Sequence, residues 1–137
     1  MKKLTNPLAG ALIMGLLVTM LAACGLGGPS KEQQLESALQ KAGMSVAGVS
    51  SAEADAKVNT SGEFITVKLV GETAEKETLA RTLQDAMPAL LESIRDVDGG
   101  TFGVSIFSPD GAVSAGPRDL GYTGSSSLSS VREFFAK

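Results

Sequence analysis

Residues 64–83 read FITVKLVGETAEKETLARTL, and within them the period of the apolar side chains changes. Ile65, Val67 and Leu69 alternate with Thr66 and Lys68, the two-residue repeat of a half-buried strand. From Leu79 the apolar positions recur at three and four instead: Leu79, Leu83, Met87, Leu90, Ile94 and Val97 make the stripe of an amphipathic helix. Between the two patterns Gly71-Glu72-Thr73 breaks the strand. Thr73 is the expected N-cap, and Glu75 and Glu77 put negative charge where the helix dipole favours it. Pro88 interrupts the stripe. An interior proline removes one backbone bond and crowds the preceding turn, at about 3 kcal/mol. A kink or a break is therefore expected near 86–88, with Asp85 capping a second segment that holds Pro88 in its first turn.

Upstream, Ala52–Val58 alternates small apolar with charged residues, which suits an exposed or edge strand. Residues 59–63 form the turn between the two strands. Ser30-Lys31-Glu32-Gln33 has the form of a capping box, and Leu35, Ala38, Leu39 and Ala42 follow at helical spacing. This predicts a helix over 31–42, with Gly43 as its stop and 44–51 as a connector. Downstream, Asp98-Gly99-Gly100 closes the helical region and Phe102, Val104 and Ile106 alternate as a third strand. Ser108-Pro109-Asp110-Gly111 matches a type I turn, and residues 112–116 return as a short fourth strand. Residues 117–126, PRDLGYTGSS, are a loop, and a last helix from Ser127 carries Leu128, Val131 and Phe135, with Phe134 beside them. The order α-β-β-α-β-β-α predicts an α+β domain over 31–137: a small antiparallel sheet with helices packed on one face.

The amino-terminal end follows another logic. Met1-Lys2-Lys3 is basic, and Leu8–Ala23 is sixteen residues without a charge, short of the roughly 20 that span a bilayer. A basic tip, a compact apolar core and small residues at its end are the layout of a secretory signal. The only cysteine stands where that run stops, in Leu21-Ala22-Ala23-Cys24. This tetrapeptide resembles the lipobox of bacterial lipoproteins. The resemblance implies a signal peptide over 1–23, cleavage between Ala23 and Cys24, and acyl chains carried by Cys24. Two or more buried chains hold a protein stably on a membrane. Residues 24–30 then read as the lipidated cysteine and a glycine-rich tether. The expected location is the extracytoplasmic side of the cell membrane, or the outer membrane in a two-membrane host.

Residues 61–86 and Val104–Phe107 together resemble the BON domain family, with Gly71 at the glycine after the strand and Ala80–Ala86 in the following helix. That likeness implies an α+β fold and contact with phospholipid or other envelope components. The chain departs from the family pattern in its longer helix and in Pro88.

Composition narrows the chemistry. The formal charge of −3 includes Lys2 and Lys3, so the chain from Cys24 onward carries −5. An acidic balance argues against nucleic acid, whose phosphates demand Lys and Arg. With no histidine, Ser-His-Asp and Cys-His nucleophiles and His-based metal sites are excluded. Asp96-Val97-Asp98-Gly99-Gly100 starts like a calcium loop but lacks the later ligands, so a helix-ending turn is expected there. No catalytic residue, cofactor or metal is expected. The candidate partner-contacting residues are Arg118, Asp119 and Tyr122 in the loop 117–126, against the plainer expectation that Arg118 pairs with Asp119 while Leu120 and Tyr122 plug the sheet edge. The expected function is a non-catalytic binding or envelope-organising module, its partner an envelope protein or lipid. The alternatives are a carrier or sensor of a small apolar ligand and, more remotely, a carboxylate-dependent hydrolase using Asp96 or Asp98.

Overall fold

The computed structural model describes residues 30–136, so Ala23 and Cys24 lie outside the described residues. Helix α1 (Lys31–Met44) precedes a hairpin of β1 (Val49–Asn59) and β2 (Gly62–Gly71). Helix α2 (Lys76–Ser93) then leads to β3 (Thr101–Phe107) and the short β4 (Ser114–Ala115). One 3₁₀ turn, Pro117–Leu120, comes before α3 (Leu128–Phe135). The α+β class and the order of elements agree with the sequence patterns.

The sheet runs β1-β2-β3-β4, and its two hairpin pairings, β1–β2 and β3–β4, are antiparallel as expected. The central pairing is not. β2 and β3 run parallel, with Ile65 opposite Phe102, Val67 opposite Val104 and Leu69 opposite Ile106. The sheet is therefore mixed. The reason is α2: a long helical crossover carries the chain back to the starting end of β2, which antiparallel neighbours joined by a tight turn do not need.

The alternating residues of all three long strands bury one face. Ala56, Ile65, Val67, Leu69, Phe102, Val104 and Ile106 are each at most 5% exposed. Onto them pack Leu39 of α1, Leu79, Leu83, Met87 and Leu90 of α2, and Leu128 and Val131 of α3. The other face carries Glu53, Asp55, Lys57, Phe64, Thr66 and Lys68, all exposed. Gly43 lies inside α1 rather than ending it. A Cβ there would sit 2.9 Å from both Ala52 Cβ and Leu69 Cδ2, so its bare backbone is what lets α1 approach the sheet.

Helix α2 runs unbroken through Pro88, and Asp85 starts no second helix. Pro88 is exposed while Met87, Leu90 and Leu91 keep the buried stripe going, so the lost backbone bond falls on the solvent side. Nor does Thr73 cap α2. The residue before the helix is Glu75, which makes no side-chain cap, and Thr73 Oγ1 accepts from the Glu75 amide at 3.1 Å. Two residues of reach close a local turn before the helix begins.

Two devices tie the helices to their neighbours. Glu32 and Glu36, one turn apart on α1, accept from the outward amides of Val58 and Ala56 on the edge strand β1, at 2.8 and 2.9 Å. Arg132 of α3 donates to the carbonyls of Val97 and Ile94, at 2.9 and 3.0 Å, where α2 ends. A cation there meets the negative end of the helix dipole and satisfies terminal carbonyls. Arg132→Ala is expected to cost about 1.5–3 kcal/mol, the range for hydrogen bonds to a charged group. Arg132→Lys should restore only part of it, because an ammonium lacks the planar fork. Urea unfolding of the three proteins checks the order.

Candidate ligand cleft

The second edge of the sheet is interrupted. At the start of β3, Thr101 bridges Ser127: the Phe102 amide donates to the Ser126 carbonyl and the Leu128 amide to the Gly100 carbonyl, both at 2.8 Å. At its end, Ile106 and Phe107 pair with Ala115 and Ser114. Between these two contacts β4 has already ended and the chain bows away through the 3₁₀ turn. The result is a cleft of about 470 Å³. Thr66, Gly103 and Ser105 line it from the sheet, Pro117, Arg118 and Tyr122 from the loop. Ser125, Ser126 and Val131 also border it.

The local chemistry explains the shape. Ser108-Pro109-Asp110-Gly111 closes as the expected turn, the Gly111 amide donating to the Ser108 carbonyl at 2.9 Å. Asp110 accepts from Ser108 Oγ at 2.7 Å and from the Ala112 amide at 3.0 Å, and these bonds hold its carboxyl below the usual carboxylate range. Pro117 then starts the 3₁₀ turn, and Gly121 ends it in the left-handed region at φ +89°.

The three candidate loop residues separate here. Arg118 and Tyr122 line the cleft. Asp119 does not: its carboxylate accepts from the Gly116 amide at 2.8 Å and lies 3.4 Å from Lys76 Nζ. The Gly116 bond, reinforced by Lys76 and opposed by desolvation, holds the Asp119 carboxyl below its ordinary value. What this bond adds is complete above the ordinary carboxylate range and disappears as pH falls through the lowered value. Its role is to shape the loop. Arg118 is exposed and its guanidinium makes no ion pair or hydrogen bond among the described residues, so the local pairing with Asp119 does not form.

Tyr122 is 7% exposed. Its hydroxyl donates to the Ser125 carbonyl, and its ring meets Phe134 and Phe135 at centroid distances of 5.2 and 5.8 Å. Gly124 lies against this phenol: a Cβ there would be 2.6 Å from the Tyr122 oxygen. Tyr122 thus fixes the loop onto α3 and offers the cleft one side of its ring. The hydroxyls of Thr66, Ser105, Ser125 and Ser126 were not singled out by sequence. For the first two the signal was present, since the alternation that buries Val67 and Val104 turns Thr66 and Ser105 the other way.

Elsewhere, Asp96 and Asp98 sit in the turn after α2, as expected, with the Val97 amide donating to the Ile94 carbonyl at 2.9 Å. Among the described residues no group of three or more His, Cys, Asp or Glu could hold a metal ion. No described helix is long and apolar enough to cross a membrane. No family model matches the chain, nor does a curated protein or a solved structure.

Proposed function

We propose that this chain is a bacterial lipoprotein: a cell-envelope protein anchored through acyl chains on Cys24, whose domain over 31–137 is a non-catalytic binding module. The observation that carries the reading is Leu21-Ala22-Ala23-Cys24, whose cysteine directly follows the uncharged run Leu8–Ala23. The chemistry needs a thiol, because a thiolate attacks a lipid donor readily. Cleavage before Cys24 leaves the residues from Gly25 to Ser30 as the link between the anchor and α1. Six residues reach at most about 20 Å when extended. The module therefore works within a few nanometres of the bilayer, on its extracytoplasmic side. Binding rather than catalysis is favoured by the cleft, which offers one unpaired cation, several hydroxyls and an interrupted strand edge.

Labelled palmitate is expected to enter the full chain in a bacterial host and to be absent from Cys24→Ser. The variant should also leave the membrane fraction, since no acyl chain remains to hold it. Equal labelling of the two proteins overturns the reading.

A further inference from the structure

We propose that the cleft beside β3 binds an extended peptide that presents a carboxylate, pairing one of its residues with the backbone of Val104 and its acid with Arg118. This inference rests on the reading of the domain as a binding module and names the class of ligand.

Successive residues of a strand turn their amide and carbonyl to opposite edges. Phe102 donates outward to Ser126 and Ser108 outward to the Val113 carbonyl, so Val104 between them faces the same way. No backbone bond joins Val104 to the loop among the described residues. The next position along the returning chain is Pro117, which has no N–H to give. Between the contacts at Phe102 and Ile106 lie Gly103, Val104 and Ser105, about 10 Å of strand. That length takes roughly three residues of an added strand beside Val104.

Charge selects among such strands. The residues lining the cleft include one cation, Arg118, and no acid. The nearest carboxylate in sequence, Asp119, is committed to Gly116 and Lys76. A guanidinium without a partner takes a carboxylate in a two-bond fork. The opposite edge of the sheet is less open to the same visitor, because Glu32 and Glu36, both acids, already occupy its Val58 and Ala56 amides.

Two substitutions separate the parts of the site. Arg118→Gln removes the charge from an exposed side chain. Gly103→Val fills the cleft from the strand, and a Cβ at Gly103 meets nothing within 4 Å, so the fold accepts it. The probe is a random pentapeptide library presented to the full acylated chain in detergent micelles, in free-acid and amidated forms. Selected peptides should be enriched in Asp, Glu or a free carboxyl terminus and should shift the amide resonances of Gly103, Val104 and Ser105. Arg118→Gln should weaken them at least about tenfold, and Gly103→Val should abolish binding with unchanged melting. Selection without acidic preference, or shifts confined to other surfaces, overturns the peptide inference and leaves the binding module standing. If the library selects nothing, the peptide inference falls, and anionic or neutral phospholipid vesicles then decide the broader reading. Shifts in the cleft keep it, and silence with both ends it.

Discussion

Gly100→Ala is expected to leave the chain largely unfolded, whereas Gly99→Ala beside it should change stability by no more than about 0.5 kcal/mol. Gly100 has φ +104°, and a Cβ there would lie 2.0 Å from the carbonyl oxygen and 2.8 Å from the carbonyl carbon of Glu63. Those atoms are backbone at the start of β2, so no rotamer change relieves the clash. The parallel register begins at the same place, with Phe64 opposite Thr101. The Gly100 carbonyl also receives the Leu128 amide that starts α3. Alanine would have to push apart the central strand pair and the last helix together, at more than about 4 kcal/mol against a total near 5–15. Gly99 has no neighbour within 4 Å of its would-be Cβ and no positive φ. Denaturant titrations followed by circular dichroism should separate the adjacent glycines sharply. Similar midpoints for the two variants would show that the contact with Glu63 is not what holds β3 in place.

The second large effect is expected at Leu69→Ala, about 3 kcal/mol or a fall of roughly 15 °C in melting temperature. Leu69 is fully buried in β2. It lies under Gly43 of α1, whose would-be Cβ also comes within 3.9 Å of Leu90 on α2. The leucine thus fills the place where both long helices meet the sheet. Because α1 rides on bare backbone there, it cannot slide inward to close the void, and the cavity contribution should approach its full value. Leu69→Met, which conserves volume, should lose less than about 1.5 kcal/mol. Equal losses for Ala and Met would point to β2 pairing rather than filling as the source.

Much of this fold was legible because each element repeats its own period. Ile65, Val67 and Leu69 on β2, and Leu79, Leu83, Met87 and Leu90 on α2, are buried as their spacing required. What was not legible follows from the limits of periodicity. Phe102, Val104 and Ile106 alternate identically in a parallel or an antiparallel strand, so direction had to come from connectivity. The long helical crossover was the signal for it. Gly43 reads locally as a helix stop, yet its reason is a tertiary contact with Ala52 and Leu69. Pro88 reads as a breaker until its exposure is known. In the candidate site, Arg118 and Tyr122 were visible as binding-prone residue types in a loop, and both line the cleft. Asp119 was visible for the same reason but is consumed by Gly116 and Lys76. Arg132 gave no local signal, since its partners lie 35 and 38 residues away.

The carboxylates of Glu32 and Glu36 have one more effect, on how molecules of this kind meet when crowded on a surface. A sheet with two free borders can recruit neighbours without end and grow into a ribbon. Here one border is already occupied from within the same molecule, at Ala56 and Val58. A visiting strand meets no free amide at these two positions of β1. Edge-to-edge growth of the sheet is thus hindered on the β1 side from within the fold itself.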